Sequence, residues 1–394
     1  MLPNLALTWQ LSEIHGWGLV GVHTALHLAA RGCPPLLLEA PAMDTLRPAN
    51  RAALHGLEES HRHVMELAAS HAGKLLHLEG WDVLHGLGTD FGAGPASERF
   101  RGRANIGVVA YEDTRFDSAV LERARRYDKL VVHSTYNHRL LAEQGFANVG
   151  LAFQGIDPEE IGPRPPSGRF GDRFVVFSGG KLEFRKAQDV VLTAFRLFQK
   201  RHPEALLVTA WHNPWPASAQ TIAESPLTRL PPEIGSDGLL RITDWALRYG
   251  VPADAFVDLG FLGRDRIAPL LADCHAAVFP NRCEGGTNLV AMEAMGCGVP
   301  VVLSANTGHL DLIGPGPDGA PRCWPLTRQT PLFNPGRNRA GWRESSVEEL
   351  VEALEAIHRD RAEAKARADR ALAFIHGERT WSAFAESFVA VCAV

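Results

Sequence analysis

Two short stretches of the sequence combine glycines and charged side chains in a way that suits phosphate binding. In the first stretch, SGGKLEFRKAQD, Gly179 and Gly180 let a ligand approach the backbone closely. Lys181, Arg185 and Lys186 then supply positive charge just before a predicted helix. The pattern therefore predicts a phosphate or diphosphate site. A tight turn followed by a solvated, basic helix start explains the stretch about equally well.

The second stretch, CEGGTNLVAME, places two acids on either side of a glycine turn and a predicted helix start. Backbone amides at a helix start bind anions, while Glu284 and Glu293 can accept hydrogen bonds from hydroxyls of a sugar or ribose. The alternative is that both acids are ordinary solvated charges near a helix. The residues that we expect to bind a ligand through this turn are Gly285, Gly286, Thr287, Asn288 and Leu289.

A third stretch, GWGLVG, matches the Gly-x-Gly-x-x-Gly fingerprint of a dinucleotide-binding turn, and Glu39 lies where a ribose-binding acid would be expected. A true fingerprint leaves its strand almost directly into the first glycine. Here SEIH separates the apolar run LALTWQL from Gly16. We therefore disfavour NAD or FAD binding and expect a cleft-lining loop with His15, Gly16 and Gly18 at its tip.

Together, SGGKLEFRKAQD and CEGGTNLVAMEAMGCGVPVV resemble the two donor-site motifs of GT-B glycosyltransferases, especially family 4, whose members mostly retain anomeric configuration. In that family, a Gly-Arg-Leu-x3-Lys-Gly motif gives two cations to the nucleotide diphosphate, and Lys181 and Lys186 match them. Lysine in place of arginine keeps the charge but loses bidentate geometry. The resemblance implies that Glu284 binds the donor sugar and Glu293 the ribose. The family separates these glutamates by seven residues and this chain by eight, so the turn after Glu284 must differ.

The resemblance extends to the first part of the chain. DVLHGLG resembles the strand that ends in an acceptor-side histidine, here His85, and NIGVVAYEDTR resembles the next strand, which ends in a cleft-facing acid, here Glu112. The family also gives the GWGLVG loop a role, because its acceptor domains open with a strand and a glycine-rich loop near the donor phosphates. The implied fold is GT-B: two Rossmann-like parallel-sheet domains that face a central cleft.

These residues must be positioned by the repeating elements around them. Both parts of the chain alternate short apolar runs with helical patterns, which predicts parallel α/β sheets. We expect an acceptor-side domain over 1–156, a Pro- and Gly-rich linker over 157–172, a donor-binding domain over 173–377 and a C-terminal helix over 378–394 that packs back on the first domain. Residues 212–240 are interpreted as an insertion over a strand end.

Composition excludes several other classes of function. A formal net charge of -5 gives no reason to expect nucleic-acid binding. The six cysteines lack Cys-x-x-Cys spacing, so neither a zinc site nor a disulfide framework is indicated. No signal peptide or membrane span is evident, which favours a cytoplasmic protein and leaves peripheral membrane contact open. His23 and His27 lie one helical turn apart, but no partner for a metal site is evident nearby.

The sequence thus predicts a metal-independent enzyme that moves a sugar from a UDP-, GDP- or ADP-linked donor to a glycan, lipid, protein or small-molecule acceptor. No cofactor is expected besides this co-substrate, and backbone groups near DLGFLG, including Leu262, are expected at the base. Retention is implied by the resemblance; inversion would need a general base such as His85, Glu112 or Asp113. The alternatives are a GT-B sugar-nucleotide epimerase, a non-catalytic sugar-nucleotide-binding protein and, less favoured, a NAD- or FAD-dependent oxidoreductase.

Overall fold

The chain divides into two compact units. The first unit contains the residues up to Gly155 and the C-terminal segment from Arg379. The second contains Ile156–Phe333 and Ala340–Glu378. The computed structural model describes residues 2–228, 230–333 and 339–393.

The first unit is built on a parallel sheet. Its strands are β1 (Leu5–Leu7), β2 (Leu36–Leu37), β3 (Leu76–Leu78), β4 (Asp82–Gly86), β5 (Phe100–Gly102), β6 (Asn105–Val108), β7 (Lys129–Val132) and β8 (Val149–Leu151). Six of them pair in the order β2-β1-β4-β6-β7-β8, and β3 pairs separately with β5. Its helices are α1 (Gly16–Ala29), α2 (Pro48–Ala53), α3 (His55–Ala69), α4 (Pro95–Arg99), α5 (Ser118–Ala124) and α6 (Thr135–Glu143).

The second unit repeats this plan. Its strands are β9 (Phe174–Lys181), β10 (Ala205–His212), β11 (Phe256–Asp258), β12 (Ala276–Phe279), β13 (Val301–Ser304), β14 (Trp324–Leu326), β15 (Gln329–Pro331) and β16 (Arg343–Ser345). The first six form a parallel sheet in the order β11-β10-β9-β12-β13-β14, and β15 and β16 form an antiparallel pair. Its helices are α7 (Gln188–Gln199), α8 (Ile242–Arg248), α9 (Arg264–Leu271), α10 (Leu289–Gly296), α11 (Val347–Arg359) and α12 (Arg361–Glu378).

Local sequence explains why these elements form. Strands β9 and β10 begin with continuous apolar runs, at 174–177 and 205–208, as expected of parallel strands that are buried on both faces. Helix α11 buries Leu350, Leu354 and Ile357, which recur at helical spacing. Ser346 caps this helix, because its hydroxyl accepts a hydrogen bond from the backbone amide of Glu349 at 3.2 Å.

The last helix, α13 (Trp381–Cys392), belongs to the first unit. Its Trp381 ring stacks on His23 at a centroid distance of 4.6 Å. Phe384 and Phe388 pack against the buried ring of His133. His23 is therefore a packing residue, and the helix completes the core around β7 and β8.

The segment 157–172, expected to be a linker, belongs to the second unit and makes specific contacts within it. Ser167 and Gly168 donate backbone hydrogen bonds to the carboxylate of Asp273 at 2.6 and 3.0 Å. The Ser167 hydroxyl donates to the same carboxylate. The prolines and glycines of this segment thus shape an ordered, packed connection.

The glycine-rich stretch GWGLVG lies in a helix, and the expectation of a loop there is wrong. Helix α1 begins at Gly16, and His15 caps it by accepting a hydrogen bond from the Gly18 amide at 3.1 Å. A Cβ atom on Gly18 would overlap the hydroxyl and carbonyl of Ser12. The glycines therefore allow the helix to pack closely against the segment that follows β1.

Among the residues that the structure describes, no helix combines the length and the apolar character needed to cross a membrane.

Candidate functional site

The two stretches singled out in the sequence meet at one edge of the second sheet. Taken in chain order, the six strands have the spatial order 3-2-1-4-5-6, which reverses between β9 and β12. Ligands of such sheets bind beyond the carboxyl ends of the strands at this reversal. SGGKLEFRKAQD contains the end of β9, and CEGGTNLVAME follows β12. The fold therefore places both stretches at the position where a ligand is expected.

A buried ion cluster joins the two stretches. The Lys186 Nζ lies 2.6 Å from Oε1 of Glu284, and an Arg185 guanidinium nitrogen lies 3.2 Å from Oε2. Arg185 also contacts Glu183 at 2.8 Å, and Lys181 lies 3.6 Å from the same carboxylate. Three cations thus surround two carboxylates, which leaves the cluster one positive charge in excess.

The electrostatics of the cluster keep it charged. Burial alone would raise the pKa of Glu284, but Lys186 and Arg185 outweigh burial and lower it to about 2. Burial also lowers the pKa of Lys186, while Glu284 opposes that shift. The carboxylate of Glu284 therefore stabilises cations that would otherwise be costly to bury.

The loop that carries Glu284 is held by a second ion network, in which Arg282 and Asp189 are fully buried and Glu344 is partly exposed. Arg282 forms a bidentate ion pair with Asp189 in the first turn of α7, at 2.9 and 2.6 Å. The same guanidinium contacts Glu344 of β16 at 2.6 and 2.8 Å and donates to the Phe184 carbonyl. Arg282 therefore connects the two stretches to each other and to strand β16.

The turn after Glu284 is shaped by Asn288. Asn288 adopts a left-handed conformation with φ of 59°, and its side chain caps α10. Its amide also donates to Nε2 of the buried His309, whose Nδ1 contacts Ser304 at 2.9 Å. Burial lowers the pKa of His309 to about 4, so the ring is neutral and fits this arrangement. The buried Thr287 hydroxyl has no hydrogen-bond partner among the described residues.

Glu293 is held differently from Glu284. It lies in α10, is buried, and forms an ion pair with Arg264 at 3.1 Å between Oε1 and the guanidinium. Arg264 begins α9 and also contacts Glu160 at 3.0 Å. Burial raises the pKa of Glu293, against the effect of Arg264. The second acid is thus a positioned carboxylate, not a solvated helix residue.

The remaining expected donor residues line the same edge. Gly179 packs so closely that a Cβ atom would lie 2.8 Å from Val290, and Gly180 has a φ of +114°. Lys181 lies over the exposed Trp215 ring at 5.2 Å. Leu262 follows β11 and is half-buried. The turn residues Gly285, Gly286 and Leu289 lead into α10.

The candidate catalytic residues of the first unit lie in different environments. His85 is fully buried within the sheet, its Nε2 lies 3.1 Å from the Asn105 side-chain oxygen, and burial lowers its pKa to about 4. That burial argues against the expected catalytic contact between His85 and a substrate. Glu112 instead follows β6 at the carboxyl edge, where its amide donates to Thr89 at 3.2 Å. His15 caps α1 as described above.

Sequence reasoning missed the charged residues that hold the site together. Arg282 precedes Glu284 by two positions, yet its type suggests solvent exposure, because arginines are rarely buried. Asp189 occupies a first helical turn, where an acid is common without any partner. Arg264 follows the GFLG turn directly, and its charge beside an expected donor contact was a usable signal.

Two protein-family models match parts of this chain. Residues 163–320 match the family described as glycosyl transferases group 1, and residues 263–388 match the family 4 glycosyltransferases of conflict systems. No curated protein matches the sequence.

Solved structures match almost the whole chain. HepE of Anabaena, in complex with UDP and glucose, has a TM-score of 0.68 at 16% identity, with 100% of each chain covered. The sucrose-phosphate synthase of Thermosynechococcus elongatus has a TM-score of 0.63 at 16% identity, over 98% of this chain and 97% of the other. A glycosyltransferase of Rickettsia africae has a TM-score of 0.63 at 9% identity, over 99% and 98%. At these identities the likeness establishes the fold.

Proposed function

We propose that this chain, a group 1 glycosyltransferase with the GT-B fold, transfers a sugar from a nucleoside-diphosphate sugar with retention and without a metal ion. The observation that carries the proposal is the buried ion cluster at the reversal of the second sheet. A net positive, preorganised cluster beside a helix start suits a diphosphate leaving group. The proposed donor is a UDP-sugar, since HepE was solved with UDP-glucose.

In this proposal the chain supplies the charge that a metal would otherwise bring. Lys186 has three hydrogen-bond donors, and its described contact with Glu284 uses one of them. The remaining donors can bind the diphosphate together with Lys181, Arg185 and the first amides of α10. Charge that develops on the departing diphosphate would then meet cations that need no rearrangement.

Glu284 has two tasks in this proposal. A carboxylate offers about four lone-pair sites. Lys186, Arg185 and the Asn281 amide take three of them. The fourth is proposed to accept a hydroxyl of the donor sugar, so that one side chain aligns both the sugar and the cations. Its role towards the sugar rests on the family resemblance.

Glu293 is proposed to bind the ribose through Oε2, while Arg264 holds Oε1. Retention is supported by the family resemblance and by the burial of His85, which removes one candidate general base. Should the reaction invert, Glu112 or Asp113 would be the base. We also propose that the protein is cytoplasmic and that its acceptor is a glycan, a lipid, a protein or a small molecule.

The proposal is tested by incubating the chain with UDP-glucose, UDP-galactose, UDP-N-acetylglucosamine, GDP-mannose and ADP-glucose in EDTA. We expect one donor to raise the melting temperature and to release free nucleoside diphosphate, faster when an acceptor extract is added. Stabilisation by NAD or FAD alone would contradict the proposal. Conversion of the donor to an isomeric sugar nucleotide would indicate an epimerase instead.

Lys186→Ala tests the diphosphate site directly. The change removes a buried cation from the cluster, so donor affinity is expected to fall at least tenfold, which corresponds to the loss of about 1.4 kcal/mol. Lys200→Ala is the matched control, because Lys200 is exposed in the same unit and should leave affinity unchanged. Equal donor affinity in both variants, measured by calorimetry, would exclude Lys186 from the site.

A further inference from the structure

A cluster of two histidines and a glutamate lies at the opposite edge of the second sheet. His202 and Glu204 lie on the connection between α7 and β10, and His358 lies in the last turn of α11. One ligand atom from each side chain lies within 4.8 Å of the other two. Helix α7 separates this cluster from Lys186 by its own length, roughly 18 Å for twelve residues. The cluster is therefore distinct from the proposed donor site.

The spacing of the three side chains suits a tetrahedral metal ion. The Nδ1 atom of His202 lies 3.7 Å from Oε1 of Glu204, and Nε2 of His358 lies 3.0 Å from the same oxygen. Ligands of a tetrahedral zinc ion lie roughly 3.3 to 3.6 Å apart, given zinc–ligand bonds of about 2.0 to 2.2 Å. The observed distances lie on both sides of that value, so small side-chain rotations would satisfy it.

An outer carboxylate already orients one of the histidines. Nε2 of His202 lies 2.8 Å from Oε2 of Glu355, and Arg201 holds the other oxygen of that carboxylate at 2.9 Å. If Nε2 carries the proton, Nδ1 presents its lone pair towards Glu204 and His358. A carboxylate behind a histidine in this way is the usual outer partner of a metal-binding imidazole. A chance pair of surface histidines would not require it.

Charge and access also favour a cation here. Glu204 is exposed, and the two histidine side chains are partly exposed, so an ion can enter from solvent. Helices α7 and α11 both end near the cluster, and helix C-termini attract positive charge. Aromatic packing of His202 on Phe198 and of His358 on Phe174 fixes the two rings. Arg201, which neighbours His202 in the sequence, is paired with Glu355 at 2.9 Å.

We propose that His202, Glu204 and His358 bind one divalent transition-metal ion of the zinc type, with water in the fourth position. Two imidazoles and one carboxylate favour zinc, copper or nickel over magnesium or calcium. The bound ion would connect the end of α7, the start of β10 and the end of α11. Its role would be to stabilise the second unit, since it lies far from the cluster around Glu284.

The test uses the full chain after treatment with a chelator and removal of the chelator. Calorimetric titration with ZnCl2 should give one bound ion per chain, and zinc should raise the melting temperature whereas MgCl2 should not. The variants H358A and E204Q should weaken zinc binding at least tenfold, and E355Q should weaken it about 10- to 100-fold. His71→Ala, an exposed histidine of the first unit, should bind zinc as the parent does.

Absence of zinc binding by the parent chain, or equal affinity in the parent and in E204Q, would overturn the proposal. E204Q decides the matter if H358A does not fold, because Glu204 is exposed and its loss leaves no cavity. Donor binding is measured separately in EDTA. Failure of the zinc site and failure of the proposed transferase activity are therefore distinguishable.

Discussion

Ala187, between the proposed phosphate-binding Lys186 and helix α7, has a left-handed backbone with φ of 58° and ψ of 37°. Left-handed geometry costs an alanine about 1 to 2 kcal/mol relative to glycine. The family motif has glycine at this position, and here the residue is also fully buried in the core of the second unit. The chain therefore holds strain directly beside the cluster.

Ala187→Gly should change the free energy of unfolding by less than about 0.5 kcal/mol. The loss of a buried methyl group costs about 0.8 kcal/mol, and the greater freedom of glycine in the unfolded chain adds to that cost. Relief of the left-handed conformation offsets both losses. Ala194→Gly is the matched control, since Ala194 is equally buried but helical. That variant should lose about 2 kcal/mol. Urea denaturation measures both. Equal losses would mean that Ala187 is not strained.

At the scale of single residues, the sequence was informative where chemistry follows residue type. Glycine pairs and lysines before a helix predicted a phosphate site, and the structure brings Lys186 and Glu284 into contact at that position. The sequence was uninformative where the role of a side chain depends on its burial. Nothing in the letters around Arg282 indicates that the side chain is enclosed by Asp189 and Glu344, because that depends on three distant segments meeting.

Helix α1 shows how an element can be misjudged from a local pattern. The spacer SEIH before Gly16 and the glycine-rich loop of the resembled family suggested a loop over GWGLVG. The helix forms because His15 caps it and because Gly18 and Gly21 let it pack on Ser12 and Trp9. The alternation of strands and helices was predictable, since it follows from apolar periodicity. The close approach of this helix was not, since it depends on tertiary packing.

Gly18→Ala should destabilise the first unit by about 1 to 3 kcal/mol, because the new methyl group would overlap Ser12 in a packed interior. Gly56→Ala is the control. Gly56 lies in the exposed part of α3 with open space around it, so this change should stabilise by up to about 1 kcal/mol. Thermal and urea unfolding of both variants measure whether the two changes in stability have opposite signs. Stabilisation by Gly18→Ala would contradict the packing role.

At the scale of the whole molecule, three buried histidines should make stability depend on pH. Burial lowers the pKa of His85, His133 and His309 to about 4. The unfolded chain binds protons at these sites near pH 6.5, before the folded chain does. Stability is therefore complete above pH 6.5 and falls as the pH drops towards 4, by about 1.4 kcal/mol per pH unit for each histidine.

His133→Asn tests this pH dependence. The asparagine amide can still donate to the Ala152 carbonyl, which lies 2.9 Å from Nδ1 of His133, but it does not titrate. The variant should lose stability less steeply between pH 6.5 and 4.5, by about 1.4 kcal/mol per pH unit in urea titrations. His71→Asn, at an exposed position, should keep the parent slope. An unchanged slope in His133→Asn would argue against a neutral, buried ring.

The two units should respond separately to core substitutions. Trp381→Ala removes the ring that stacks on His23 and should lower the free energy of unfolding by about 3 to 5 kcal/mol. Peptides of the first unit should then exchange their amide hydrogens faster. Trp245→Ala, at a buried site against Trp211, should expose second-unit peptides instead. Uniform loss of protection over both units in either variant would show that they unfold as one.

Helix α13 also has a consequence for the order of synthesis. The first unit lacks the aromatic face of Trp381, Phe384 and Phe388 until those residues have left the ribosome, after the entire second unit has been made. Domains generally fold in the order in which they are synthesised. In this chain, the second unit can complete its core first. The first unit, although it is synthesised earlier, remains incomplete until then, with the ring of His133 uncovered. A chaperone that recognises exposed apolar surface during translation would therefore be expected to hold the beginning of the chain longest.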